Sequence, residues 1–158
     1  MARIQPLFAD LDVQSKLGAE HDVVSGDPDQ LKQVFLNFIL NAADAIKMGG
    51  KESPGRLRIT SEFLAGSNRS RADSSGTLCI RFEDNGVGMP AADLNRIFDP
   101  FFTTKPPGMG SGLGLWVSFL IVEGMGGTID AESTQGEGTQ MTLVLPVEDG
   151  EKGPRSKV

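Results

Sequence analysis

Hydrophobic and polar positions follow two different periods along the chain, which predicts strands in some segments and helices in others. Alternation with a period of two predicts strands at residues 56–64, 78–83, 128–132 and 139–145, and one or two short strands around residues 13–17 and 22–24. Helical spacing of apolar positions predicts helices at residues 27–48, 91–98 and 112–123. Hairpins and helices without strict strand–helix–strand alternation favour an α+β fold, a two-layer sandwich in which helices cover one face of a mixed β-sheet.

The first of these helices has clear start and stop signals. Asp27 is a preferred N-cap, Pro28 suits the first helical position, and Gln30 has a spacing similar to that of a capping box. The pair Gly49-Gly50 predicts the end of the helix. On a helical wheel a wide apolar arc forms the predicted core face, which comprises Leu31, Val34, Phe35, Phe38, Ala42, Ala45 and Ile46.

The polar face of this helix is unusual because it is narrow and rich in amides. It consists of Gln30, Gln33, Asn37, Asn41 and Asp44. Amides on a largely buried helix need hydrogen-bond partners. The stripe therefore predicts either a polar network within a protein interface or a face that contacts a polar ligand or a hydrated ion. An Asn carbonyl oxygen is a hard donor that suits Mg²⁺.

Composition and charge exclude several classes of protein. The 158 residues predict one domain, which we place at residues 1–147, with a charged, disordered tail at 148–158. A net charge of −6 argues against nucleic-acid binding through a broad basic face. Apolar runs are too short to span a membrane, and the first residues lack the apolar run of a signal peptide. The single cysteine, Cys79, reads as a small buried hydrophobe in a reducing compartment, so we expect a cytoplasmic domain without membrane contact.

Eleven of the 20 glycines lie between Gly86 and Gly138, and six of these eleven belong to two short motifs. The first, Glu83-Asp-Asn-Gly-Val-Gly-Met-Pro, directly follows a predicted strand. Its two glycines allow a flat ligand to lie against the backbone. Asp84 at the strand end would accept a hydrogen bond from an exocyclic amine such as that of adenine, and would repel the carbonyl of guanine. Turns and calcium loops also use Asp and Gly, so this motif alone is a weak indication.

The second motif, Gly108-Met-Gly-Ser-Gly-Leu-Gly-Leu, opens a predicted helix. Free backbone N–H groups and the helix dipole make such an end an anion site. A P-loop would require a terminal Gly-Lys-Ser/Thr, which is missing. A dinucleotide-binding fold would require a strand before the glycines, and the preceding Thr103-Thr-Lys-Pro-Pro is incompatible with a central strand.

Five segments follow one another along the chain: Asn37-Phe-Ile-Leu-Asn41-Ala-Ala-Asp-Ala, Asp84-Asn-Gly-Val-Gly-Met, Phe98-Asp-Pro-Phe-Phe-Thr-Thr-Lys, Gly110-Ser-Gly-Leu-Gly-Leu and Gly136-Glu-Gly-Thr. In this order and spacing they resemble the ATP-binding catalytic domain of two-component sensor histidine kinases, from about residue 23 to residue 146. The Phe-Phe-Thr-Thr-Lys form is most similar to the nitrogen-regulation-type branch. The resemblance implies the Bergerat ATP-binding fold shared with gyrase, Hsp90 and MutL.

The resemblance also implies roles for individual residues, with ATP and Mg²⁺ as cofactors. Asn41 would hold Mg²⁺ through its side-chain oxygen, supported by Asn37 one turn earlier, and Asp84 would bind the adenine amine. Residues 99–111 would form a mobile lid over the phosphates, in which Lys105 either contacts a phosphate or is solvated. The remaining expected nucleotide-site residues are Gly86, Gly88, Gly110, Ser111, Gly112, Leu113, Gly114 and Thr139, the last of which is alternatively a purely structural strand residue.

Hydrolysing members of the superfamily carry a Glu where this chain has Asn37, so the resemblance favours phosphoryl transfer to a protein over hydrolysis. The acceptor would be a histidine on a separate helical dimerisation domain, with a response regulator acting downstream. His21 lies just six residues before Asp27, which leaves no room for the helical hairpin that a phosphoacceptor motif needs. The alternatives are a stand-alone serine kinase of the anti-sigma type and a non-catalytic ATP-sensing module.

Overall fold

The computed structural model describes residues 11–50, 54–66, 76–108 and 110–147. Within these ranges the chain forms five strands and three helices. Their order is β1 (Leu11–Leu17), α1 (Pro28–Gly49), β2 (Gly55–Ala65), β3 (Gly76–Asp84), α2 (Ala91–Leu94), α3 (Gly114–Gly124), β4 (Thr128–Thr134) and β5 (Gly138–Pro146). The predicted tail at residues 148–158 and most of the predicted loop at residues 65–76 lie outside the described residues.

The strands form one sheet with the order β1-β2-β3-β5-β4. β1 runs parallel to β2, and every other neighbouring pair is antiparallel. Helices α1 and α3 pack against each other and against this sheet. The mixed sheet and its helical layer confirm the predicted α+β sandwich, and β4 and β5 form the predicted hairpin.

Helix α1 begins and ends where the sequence predicts. The side chain of Asp27 accepts a hydrogen bond from the N–H of Asp29 at 2.8 Å, and Gly50 ends the helix in the left-handed conformation with φ 52°. Phe38 is 1% exposed, and its ring meets that of Phe82 on β3 edge-to-face at 5.3 Å. Burial of this face fixes the direction in which the polar stripe points.

Two local predictions need correction. The helix expected at residues 91–98 ends at Leu94. The following residues form tight turns, in which Arg96 N–H bonds to the carbonyl of Asp93 at 2.8 Å and Asp99 N–H bonds to that of Arg96 at 2.9 Å. These bonds join residues three apart, and they replace the bonds between residues four apart that a continued α-helix would need. The short strand expected at residues 22–24 is a single bridge between Val24 and Val147.

Cys79 lies in β3 and is 2% exposed, as predicted for a buried hydrophobe. Burial raises the pKa of its thiol, and the negative charge of Glu62 adds to that shift while Arg81 opposes it. None of the helices in the described ranges is both long and apolar enough to cross a membrane.

Candidate functional site

A cavity of about 350 Å³ lies between the polar stripe of α1, the end of β3, the loop at residues 99–111 and the start of α3. It brings together most of the residues that the sequence predicts for the site: Asn37, Asn41, Asp84, Gly88, Lys105, Gly110, Ser111, Gly112, Gly114 and Thr139. Gly86 and Leu113 do not line it. The five sequence motifs, although far apart in the chain, therefore meet around one space.

Asp84 is the last residue of β3, and it lines this cavity. Its Oδ1 accepts a hydrogen bond from the N–H of Gly86 at 2.8 Å. Gly86 is buried, and a Cβ there would overlap the backbone of Ala45 on α1. The N–H of Val87 also bonds to the carbonyl of Ala45 at 3.1 Å. Gly86 thus serves the site by holding the Asp84 carboxylate and by letting the loop approach α1.

The second glycine of this motif is required by the β4–β5 turn. Gly88 has φ 62°, and a Cβ there would overlap the carbonyl oxygen of Thr134. The N–H of Gly136 bonds to the carbonyl of Val87 at 2.6 Å. Gly138 faces the carbonyl of Asp84 so closely that a Cβ would overlap it. The hairpin turn therefore acts as a clamp on the glycine loop, which also contacts α1.

Ser133 is a contributor that the sequence analysis missed. Its hydroxyl accepts a hydrogen bond from Met89 N–H at 2.8 Å and lies 2.9 Å from the hydroxyl of Thr139. It also donates to the carbonyl of Gly138 at 2.9 Å. Thr139 therefore has two roles: it lines the cavity, and through Ser133 it is linked to Met89 at the end of the glycine loop. The available signal was a polar residue at an inward position of β4, where Ile129 and Ala131 precede it with the same alternation.

Asn37 connects α1 to α3. Its side-chain Nδ2 donates to the carbonyl of Gly114 and to the hydroxyl of Ser118, both at 3.0 Å. Ser118 is fully buried and itself donates to Gly114 at 2.9 Å. Ser118 was also missed, although it is the single hydroxyl within the apolar sequence of α3. The contact fixes the N-terminus of α3 against the polar stripe, and the positive end of the helix dipole there favours a bound anion.

Two oxygens of the stripe converge on one cation. Asn41 Oδ1 lies 3.3 Å from the Nζ of Lys105, and Asp44 Oδ2 lies 2.5 Å from it. The Lys105 side chain is 24% exposed, so it binds α1 rather than extending into solvent. The sequence analysis placed Asp44 on the stripe without assigning it to the site.

The loop at residues 99–111 contains neither helix nor strand among its described residues. It is closed at its base, where Phe101 N–H bonds to the carbonyl of Gly112 at 2.9 Å. Phe101 itself has φ 66° and a 74% exposed side chain. Ser111 accepts a hydrogen bond from Leu113 N–H at 3.2 Å, so Leu113 belongs to the entry into α3 rather than to the cavity wall. The mobility expected for this loop remains a prediction.

The chain is similar to a known protein family along most of its length. Residues 26–149 match the family described as histidine kinase-, DNA gyrase B- and HSP90-like ATPases. The chain is 42% identical over 129 residues to the sensor histidine kinase ZraS of Klebsiella oxytoca, covering 82% of this chain and 24% of ZraS. It is 38% identical over 131 residues to the sensory histidine kinase/phosphatase NtrB of Rhizobium meliloti, covering 80% of this chain and 33% of NtrB. The chain thus spans a quarter to a third of these relatives.

Solved structures give the same result. The catalytic domain of histidine kinase ThkA superposes with a TM-score of 0.65 at 28% identity, covering 87% of this chain and 81% of that one. The mycobacterial sensor histidine kinase MprB superposes with a TM-score of 0.64 at 26% identity, covering 87% and 83%. The family match covers most of the chain and its fold is that of these neighbours. The chain therefore belongs to the family of histidine kinase-, DNA gyrase B- and HSP90-like ATPases, and carries the ATP-binding domain of its sensor histidine kinase members.

Proposed function

We propose that this chain binds ATP with Mg²⁺ and transfers the γ-phosphate to a histidine on a separate helical dimerisation and phosphoacceptor domain, in a cytoplasmic step of two-component signalling. The observation that carries the proposal is the arrangement of the cavity. Its lining combines the carboxylate of Asp84 with the oxygens of Asn41 and Asp44, the ammonium of Lys105 and the N-terminus of α3. These are the complements of an adenine amine and of a metal-bound polyphosphate.

We assign the Asp84 carboxylate to the adenine. It is oriented by the hydrogen bond that it accepts from Gly86 N–H. A charged acceptor held in a partly buried position favours a base with an exocyclic amine there and disfavours one with a carbonyl. The neighbouring apolar side chains of Phe82, Val87 and Met141 line the same region and suit a flat ring.

The side-chain oxygens of Asn41 and Asp44 form a donor set that fits Mg²⁺. An amide and a carboxylate oxygen already meet the positive charge of Lys105. No cluster of three or more His, Cys, Asp or Glu suited to a metal occurs among residues 11–50, 54–66, 76–108 and 110–147. Mg²⁺ is commonly held by one or two protein oxygens plus substrate phosphates, and Asn41 and Asp44 supply two such oxygens. When bound, the ion would neutralise charge that develops on the phosphates during transfer.

The same geometry favours transfer over hydrolysis. Asn37 stands where the hydrolysing relatives carry a Glu, and its amide is engaged with Gly114 and Ser118. An amide has no proton-accepting function at neutral pH, so water bound near it would lack a general base. His21 does not line the cavity, and its ring packs on Phe63 with centroids 4.8 Å apart. The chain would therefore act by positioning ATP for an imidazole supplied from outside.

Radiolabelled γ-phosphate transfer tests this proposal. The chain alone should bind ATP–Mg²⁺ but show negligible self-labelling and very slow hydrolysis. Addition of its cognate helical phosphoacceptor domain should give label on that domain, labile in acid as phosphohistidine is. Acid-stable label would favour the serine-kinase alternative, and ATP binding without any transfer would favour a sensing module. Label on this chain that survives His21→Ala would contradict the proposal.

A further inference from the structure

Asn41 and Asp44 lie three residues apart on α1, so their side chains share one face of the helix. Both side-chain oxygens contact the ammonium of Lys105, which comes from a loop more than 60 residues away in sequence. Three groups from two distant segments thus define a single position for a cation. This cation position differs from that of the ion pair within α1, Lys32–Asp29, whose side chains are 66% and 86% exposed.

Only one cation can use these oxygens at a time. An ammonium at 2.5 Å from Asp44 occupies the volume that a metal ion bonded to the same oxygens would need. Two positive charges within a few ångströms would repel strongly in this partly buried site, where the side chain of Lys105 is 24% and that of Asp44 38% exposed.

We propose that Asn41 and Asp44 form an exchange site, in which either the ammonium of Lys105 or a divalent metal ion is bound and never both. Asp44 is then a second oxygen ligand of the metal, beyond the Asn41 that family resemblance implies, and Lys105 is a built-in competitor. The biological identity of the metal as nucleotide-bound Mg²⁺ rests on the proposed function. The exchange itself is a property of these three side chains.

Exchange also links the metal to the loop. When a metal displaces Lys105, the contacts of its ammonium with α1 are broken and one positive charge is released among the residues that line the cavity. That charge lies on the same loop as Gly110 and Ser111, which also line the cavity. Metal binding therefore frees the lysine for a phosphate contact in the same event.

Mn²⁺, measured by electron paramagnetic resonance without nucleotide, tests the competition directly. Lys105→Met removes the competitor, and we expect it to bind Mn²⁺ at least tenfold more tightly than the wild-type chain. Lys32→Met removes an equal charge from the exposed pair and should stay within twofold of wild type. The double variant with Lys105→Met and Asp44→Asn should lose the gain. Unchanged affinity in Lys105→Met, or a gain that persists without Asp44, would overturn the proposal.

A second measurement needs no substitution. Lys105 should react slowly with an amine-acylating reagent in the wild-type protein, and millimolar Mn²⁺ should accelerate its labelling several-fold relative to exposed Lys16. Labelling of Lys105 that does not respond to saturating Mn²⁺ would contradict the exchange. Both experiments omit ATP, so calorimetry of ATP binding reports separately on the proposed function. A chain that exchanges cations but binds no ATP would retain the site and lose that function.

Discussion

The side-chain amide of Asn37 donates a hydrogen bond to the carbonyl of Gly114 at 3.0 Å and thereby joins the middle of α1 to the first residue of α3. Gly114 is also where the glycine-rich segment becomes helical. The position of the helix end that faces the cavity therefore depends on a hydrogen-bond donor at residue 37. A carboxylate there would lack the donor and would face the oxygens of Gly114 and Ser118.

Asn37→Asp should lower the free energy of unfolding by about 1–3 kcal/mol, the usual cost of losing partners for partly buried polar groups. Denaturant titration measures this change. Gln33→Glu is the matched control, because Gln33 is exposed on the same stripe one turn earlier and gains the same charge. We expect the control within about 0.5 kcal/mol of wild type. Equal stability of the two variants would show that the Asn37 contacts are unimportant for the fold.

The fold was largely predictable because its elements carry strong local signals. Asp27, Pro28 and Gly50 mark both ends of α1, and the structure places its boundaries there. Alternation likewise located β2, β3, β4 and β5 to within a few residues. The helix predicted at residues 91–98 was too long, because a helix and a series of tight turns can bury the same apolar positions. Ile97 is buried although it lies in such turns.

The site was predictable as a set of motifs but not as a set of contacts. Asp84 and Asn41 were predicted as site residues because one begins a glycine loop and the other lies on the polar face of a helix. Both line the cavity. The pair formed by Asp44 and Lys105 spans 61 residues, and nothing local in either segment encodes where the loop lies. Gly86 was predicted to shape the nucleotide pocket; the structure places it outside the cavity lining and in close contact with Ala45, a contact that no sequence period reveals.

Gly88→Ala tests the clamp between the glycine loop and the β4–β5 turn. A Cβ at φ 62° costs about 1–2 kcal/mol by backbone strain, and its overlap with the carbonyl of Thr134 adds about 1–3 kcal/mol. Gly136→Ala is the matched control, since Gly136 has φ 85° but no atom near its absent Cβ. The free energy of unfolding, from denaturant titration, should fall further for Gly88→Ala. Equal losses would mean that the loop moves away from the turn at little cost.

Asp84→Asn should weaken ATP binding at least tenfold, about 1.4 kcal/mol, because a hydrogen bond to a charged acceptor is replaced by one to a neutral amide. Isothermal calorimetry measures the affinity. Glu83→Gln is the control, since Glu83 is the neighbouring carboxylate, points to the other face of β3 and pairs with Arg58 at 3.7 Å. Unchanged affinity in a folded Asp84→Asn protein would remove Asp84 from the nucleotide site.

Asn41→Ala should remove most of the metal-dependent part of ATP binding. We expect the wild-type chain to bind ATP more tightly with Mg²⁺ than with EDTA, and this difference should largely disappear in the variant, because an oxygen ligand is gone. The protein should still fold, since Asn41 lies beside the core face rather than on it. Gln33→Ala, on the exposed end of the same stripe, should keep the full difference. A metal effect that survives in Asn41→Ala would assign the metal to other oxygens.

Phe101→Ala separates nucleotide binding from partner binding. Phe101 does not line the cavity, yet its side chain is 74% exposed at the base of the loop and its backbone is held at φ 66° by the bond to Gly112. An exposed aromatic residue with a strained backbone, bonded to the cavity-lining Gly112, suits contact with an apolar partner surface. Under the proposed function, the variant should bind ATP within twofold of wild type while its initial rate of transfer to the helical domain falls at least fivefold. Leu36→Ala is the control, because Leu36 is also exposed and apolar but lies on α1 and does not line the cavity. It should leave the initial transfer rate unchanged. Equal transfer rates for the two variants would show that the helical domain docks without Phe101.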